Sequence, residues 1–282
     1  MSIAAEVRPM VLAGTWYQGQ PQRLAAAVDA YLAHAKTSQT DGKVIGLIAP
    51  HAGHRYSGWV AGHAFAAARN LTPRLVAVIG PMHHPYPYPL ITSAHAFYQT
   101  PLGSLPVARH LLDDLSARLK DQLGFGLTPI ANDPEHALEI QLPFLQRALA
   151  EPFLFIPIML RQQDADTAQI LGQTLAQTLA GQNCLLVAST DLSHFYNQPR
   201  AEKLDRALLQ AAEAFDPAAL FDLERRGLAE ACGLGALATM FWAAKALGGE
   251  QVKILNYATS GSTSGDYERV VGYGAGVVLQ GH

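Results

Sequence analysis

Three turns of this chain carry histidine at the same kind of place. An apolar run from Lys43 to Ala49 ends in Pro50-His51-Ala52-Gly53-His54-Arg55-Tyr56-Ser57-Gly58. A second, Leu75 to Gly80, ends in Pro81-Met82-His83-His84-Pro85, and a third, Cys184 to Ser189, ends in Thr190-Asp191-Leu192-Ser193-His194. A single histidine in a strand-to-helix turn is more often a capping or packing residue than a ligand, because imidazole hydrogen-bonds readily to backbone. Three at equivalent strand ends reverse that balance, since open α/β sheets bind ligands in the crevice outside the carboxyl ends of their strands. His51 and His83 form the leading pair. Two further clusters precede helical patterns: Asp133-Pro134-Glu135-His136, and Glu230-Ala231-Cys232-Gly233-Leu234-Gly235. At a helix amino end, Cys232 is expected to have a lowered pKa and more of the thiolate that binds metal or attacks.

Two neutral imidazoles and one anionic ligand leave coordination positions open and suit Fe(II), Zn(II) or Cu, with softness favouring the last two if the anion is a thiolate. With metal held by His51, His83 and Cys232, a His194 oriented by Asp191 or Glu135 would move protons on a bound small polar molecule. His136 would then donate to a developing oxyanion. Asp191, His194, Glu135 and His136 are therefore the candidate catalytic groups. A metal-free alternative makes Cys232 a nucleophile with His194 or His136 as its base, but leaves His51 and His83 without a task. The spacing is not a compact motif such as H-E-x-x-H, so the fold must bring these residues together.

The elements that would do so are legible. Runs rich in Val, Ile and Leu read as buried strands at Lys43 to Ala49, Leu75 to Gly80, Phe153 to Met159, Cys184 to Ser189, Val252 to Tyr257 and Val270 to Leu279. Helical patterns lie between them at Gln22 to Ala35, Gly58 to Arg69, Val107 to Leu119, Leu138 to Leu149, Ala165 to Leu179 and Ala201 to Phe215, with one more from Ala236 to Leu247. The alternation predicts an α/β fold, a mostly parallel sheet covered on both faces. Ala258 to Arg269 offers no crossover helix, so the last two strands should pair antiparallel and the sheet should be mixed.

Composition bounds the reading. The chain has 282 residues, 49% of them hydrophobic and 15% charged, and no linker-like stretch, so residues 1–282 read as a single domain. A formal net charge of −3 with scattered Lys and Arg gives no basic stripe for nucleic acid. The apolar stretch from Val7 to Ala13 is interrupted by Arg8 and Pro9, unlike a signal peptide or a membrane span, and two cysteines are too few for a secreted disulfide framework. A cytoplasmic protein is expected.

Several segments in order carry a resemblance: Ala13-Gly14-Thr15-Trp16-Tyr17, Ala49-Pro50-His51-Ala52-Gly53, Gly80-Pro81-Met82-His83-His84, Glu135-His136, Ser189-Thr190-Asp191-Leu192-Ser193-His194, Cys232-Gly233 and Val271-Gly272-Tyr273. Nearly end to end, the chain resembles the Memo family, whose bacterial and archaeal members are called AmmeMemoRadiSam system protein B. That resemblance implies a three-layer sandwich like the LigB-type class III extradiol dioxygenases, with iron or copper at His51, His83 and Cys232, and Asp191, His194 and His136 lining the same pocket. Fe(II) comes first, with Cu or Zn after it. The dioxygenases complete their iron site with a carboxylate where this chain has Cys232, for which Glu230 is a distant substitute. His54 and Leu234 stand where the family usually has an aromatic residue and Arg. The implied functions are metal-dependent redox chemistry on a small molecule, recognition of a phosphopeptide or protein partner, for which Arg55 and Arg269 are the nearby cations, or work alongside radical SAM and AMMECR-type proteins.

Overall fold

The computed structural model describes residues 6–35 and 41–281. Its elements in chain order are β1 (Val7–Arg8), α1 (Pro21–His34), β2 (Lys43–Ala49), α2 (His54–Ala67), β3 (Leu75–Pro81), β4 (Leu90–Ser93), β5 (Phe97–Thr100), β6 (Gly103–Pro106), α3 (Arg109–Leu123), β7 (Thr128–Ile130), a 3-10 turn (Glu139–Gln141), α4 (Leu142–Ala148), β8 (Leu154–Leu160), α5 (Ala165–Leu179), β9 (Cys184–Ser189), β10 (His194–Tyr196), α6 (Gln198–Glu213), α7 (Pro217–Arg225), α8 (Leu234–Ala246), β11 (Gln251–Thr259), α9 (Gly261–Ser264) and β12 (Val270–Gln280).

The large sheet runs β10-β12-β2-β9-β3-β8-β4-β7, with β11 paired to β12. Its centre, β2-β9-β3-β8, is parallel. These strands are buried on both faces: all but the first residue of β2, and every residue of β3, is buried, which is why their sequences are continuous apolar runs without alternation. Antiparallel pairing appears toward the margins, where β12 meets β2, β10 and β11, and β4 meets β8. The expected mixed sheet is present, with its parallel strands concentrated in the middle. Helices flank the sheet, α2 against β2, β11 and β12, and α8 against β2, β3 and β9, giving a three-layer sandwich. In α3, Leu112, Leu115 and Leu119 form the buried stripe. In α8 ten residues, from Leu234 to Ala244, are buried, so this helix is enclosed almost all round.

Register decides where the strand ends fall. Ala49 lies opposite Ser189, and Ile79 opposite Ala188. β2, β9 and β3 are thus adjacent, parallel and level at their carboxyl ends. The short strands β1, β4 to β7 and β10 have no apolar period of their own, and sequence reading did not find them; it also missed α7. The helix expected from Leu138 begins instead as a 3-10 turn and becomes α-helical at Leu142, next to Pro143, and α2 starts at His54 rather than Gly58.

The amino-terminal segment is bolted to this frame by a buried cation. Arg8 is 1% exposed. Its guanidinium makes a two-pronged pair with Asp133 at 2.9 and 2.9 Å, donates to Glu139 Oε2 at 2.7 Å and to the Glu135 carbonyl at 2.9 Å, and lies over the Tyr98 ring. Glu139 in turn accepts from the backbone of Val11 and Leu12 and from the Tyr17 hydroxyl. Removing one partner of such a buried network leaves charges that water cannot reach. Arg8→Met is expected to lower the unfolding free energy by roughly 3–5 kcal/mol in urea denaturation at neutral pH; a loss below about 1 kcal/mol, the scale of a surface pair, would contradict the bolting role.

Candidate metal centre

His51 and His83 each follow their strand by two residues, and Asp191 follows β9 in the same way. Because the three strands are neighbours, the residues meet above the sheet. His136 comes to the same point from the loop ahead of the 3-10 turn. One ligand atom from each of His51, His83 and His136 lies within 4.8 Å of the others. The imidazoles of His83 and His136 stack at 4.4 Å, and His51 stands edge-on to both at 5.2 Å.

Hydrogen bonds set which nitrogen each ring presents. His51 Nδ1 is 3.1 Å from Ser189 Oγ. Ser189 commits its one proton to the Ala137 carbonyl at 2.6 Å and already accepts from Gln141 Nε2 at 2.8 Å, so the shared proton belongs to Nδ1 and Nε2 keeps its lone pair. His83 Nδ1 donates to Glu135 Oε1 at 2.9 Å, and His136 Nδ1 faces the same oxygen at 3.2 Å. His51 and His83 are therefore hydrogen-bonded through Nδ1, the way histidine ligands are oriented around metals, while His136 Nδ1 only stands close to the same carboxylate.

Glu135 holds two of the three. Its side chain is fully buried, yet it accepts four N–H bonds: the His83 backbone at 2.6 Å, the His83 ring, and the His136 and Ala137 backbones at 2.8 and 2.9 Å. Burial would raise its pKa, but the His83 hydrogen bond, the neighbouring His83 and His136 and the backbone donor outweigh that and pull it down to about 2. His136 is pushed down to about 4, first by burial and against the attraction of Glu135. Burial, together with the other two histidines, holds His51 well below the ordinary imidazole range. An ionised carboxylate beside three imidazoles whose ligand atoms converge favours a cation at their centre. The donor set fits a metal ion.

Cys232 is also here, with Sγ 3.0 Å from His51 Nε2 and accepting the Asp191 backbone N–H at 3.3 Å. The close approach needs glycine next to it: a Cβ on Gly233 would sit 2.6 Å from the Ser189 carbonyl oxygen. The expected lowering of its pKa does not occur. Burial, reinforced by the charge of Asp191, pushes the thiol well up; the residue precedes α8 rather than capping it, so the helix dipole does not offset desolvation.

Asp191 accepts the backbone N–H of His51 at 2.7 Å and of Ala52 at 3.3 Å. Burial raises its carboxyl to about 7 in spite of these bonds. Neither Asp191 nor Glu135 orients His194, contrary to expectation. The partner near His194 is Glu230, which accepts its backbone N–H at 3.3 Å and the Tyr196 hydroxyl at 3.0 Å; burial lowers the His194 pKa while Glu230 and the Leu192 backbone pull it up. Glu230 is thereby occupied and lies outside the histidine cluster. A donor role for His136 toward an oxyanion also finds no support, because its ring is neutral and its Nδ1 faces Glu135. A cavity of about 560 Å³ lies over the cluster, lined by His51, His83, His136, Asp191, His194, Arg55, Tyr56 and Trp16 among others. It grades from buried His51 to exposed His83.

With this geometry in view, the relatives become informative. The family model described as Memo-like protein matches residues 8–277. The chain belongs to the Memo family. It is similar to a MEMO1 family protein of Methanopyrus kandleri, 33% identical over 97% of this chain and 99% of that protein, and to one of Nitrosopumilus maritimus, 32% identical over 95% and 98%. A relative from Methanococcoides burtonii is 36% identical over 83% of this chain and 86% of its own length. In this Memo protein, sequence reasoning overlooked Arg8, Gln141, Ser189 and Trp16 as parts of the site. Arg8 carried a signal, a charge inside an apolar stretch. Ser189 lay in a noted motif, whereas Gln141 looks like any helix residue. Glu135→Gln is expected to weaken metal binding by roughly 10–100-fold in competition with a chelating dye, because an amide cannot accept from both His83 donors; unchanged affinity would contradict the orienting role.

Proposed function

We propose that this Memo protein holds a single metal ion at His51 and His83, with His136 or Cys232 completing the set, and uses it for redox chemistry on a small polar substrate, in the manner of the non-haem iron dioxygenase superfamily. The observation that carries the reading is the convergence of three imidazoles, two of them hydrogen-bonded at Nδ1, beneath an open cavity. Imidazole donors suit Fe(II), Cu and Zn alike; the likeness to the dioxygenases puts Fe(II) first, with Cu and Zn behind it. When bound, such an ion would polarise or activate an oxygen-containing ligand.

The protein's own groups support that chemistry. His51 sits at the dry end of the cluster, where water competes least, and His83 at the open end, where a ligand can enter. Asp191 and His194 line the same cavity, a carboxyl group and an imidazole placed to exchange a proton with whatever binds. Trp16 covers one side, its ring 4.6 Å from that of His136. Arg55 is the one Lys or Arg side chain lining this cavity among the described residues, thin equipment for a phosphate reader, which needs several cations. The Cys232 nucleophile alternative is weakened because a buried, protonated thiol is a poor attacking group.

The test is anaerobic titration of Fe(II), Cu(I) and Zn(II) into the purified protein and four variants. Near-stoichiometric binding is expected in the wild type, with loss in His51→Ala and His83→Ala while circular dichroism stays unchanged. The larger loss in either Cys232→Ser or His136→Ala identifies the third ligand. Metal content that is the same in His51→Ala, His83→Ala and the wild type would sink the proposal.

A further inference from the structure

A second cavity, of about 540 Å³, lies beside the first, and Thr15, Trp16 and Arg55 border both. Half of its remaining wall residues are rings: Tyr17, Tyr31, His54 and Trp59. Trp59 keeps 43% of its surface open to solvent and Trp16 keeps 40%. Large aromatic side chains left this open beside a cavity offer flat faces that burial by a ligand would stabilise. The arrangement is fixed rather than loose. Trp59 stands edge-on to Tyr31 at 4.7 Å. Tyr31 in turn lies against Gly58, where a Cβ would come within 2.8 Å of its ring.

One polar atom here has no partner. His54 is 4% exposed, and its Nε2 is 3.0 Å from the Ile140 carbonyl, so Nε2 carries the proton and Nδ1 a lone pair. Nδ1 is buried and finds no hydrogen-bond donor among the described residues. A buried acceptor left unmatched costs free energy that an incoming donor can recover. Trp16 is held at the boundary by its own backbone, whose carbonyl accepts the His54 N–H at 2.9 Å, so His54 and the dividing wall are one rigid unit.

We propose that the second cavity is a subsite for a flat aromatic group bearing one N–H or O–H donor, the ring stacking on Trp16 or Trp59 and the donor serving His54. The ring sits away from the histidine cluster, as the distal part of a ligand whose polar head lies in the first cavity. The connection to the head rests on the function proposed above; the subsite itself does not need the metal.

The experiment uses metal-free protein with fluoroindole and its N-methylated analogue as probes, read by ligand fluorine NMR. Fluoroindole is expected to bind and the N-methylated analogue to bind more weakly. Trp59→Ala should weaken fluoroindole about fivefold, the scale of one lost aromatic contact. His54→Phe should abolish the preference between the two probes, while His51→Ala, which alters only the first cavity, leaves both unchanged. Binding that is absent, or indifferent to both Trp59→Ala and His54→Phe, overturns the subsite. Binding that is lost in His51→Ala but kept in Trp59→Ala puts the ring in the first cavity and also overturns it. Failure of the metal titration with these results intact would remove only the head.

Discussion

A buried carboxylate surrounded by N–H donors organises the upper face of this protein. Taking a carboxylate out of water costs several kcal/mol, and Glu135 offsets that with four donors drawn from two separate segments. Those donors are the backbones and the ring that make the site. The same charge that must be satisfied for the loop to fold therefore fixes His83 and places His136 beside it. Arg8 secures the arrangement from below, binding the carbonyl of Glu135 and the side chains of Asp133 and Glu139. A strand of two residues near the chain's start is in this way coupled to histidines more than seventy positions further on.

The sheet supplies the other half. Parallel neighbours level at their carboxyl ends deliver His51, Asp191 and His83 to one place, and Ser189, the last residue of β9, reaches across to fix the tautomer of His51. The result is a cluster dry at one end and wet at the other. That gradient suits an ion held firmly from beneath while a ligand arrives from above. It also explains why the thiol of Cys232 is disfavoured as an anion until a positive charge appears next to it.

How much of this was legible follows the physics of each signal. Central strands announce themselves because double burial demands unbroken apolar runs, and β2 and β9 lie where the sequence puts them. The inference that His51 and His83 meet needed only that their strands be parallel and adjacent, which they are; the third strand-end histidine, His194, lines the cavity but stands outside the converging group. His136 was recognisable as a candidate, but its place inside the cluster was not, since it comes from a loop whose path is set by Arg8 and Glu139 rather than by local pattern. The lowered pKa expected of Cys232 failed because helix position is visible in sequence and burial is not. His194 was expected to lean on Asp191 or Glu135; the fold turns Asp191 toward the end of β2, commits Glu135 to His83 and leaves His194 to Glu230. β1 and the other short strands escaped notice because two to four residues carry no period.

The most direct measurement is X-ray absorption spectroscopy of the protein loaded with one equivalent of metal under anaerobic conditions, which counts the imidazoles bound to the ion. Convergence of His51, His83 and His136 predicts a first shell containing two or three imidazole nitrogens, with or without one sulfur. A loaded ion whose first shell contains no imidazole would contradict the account.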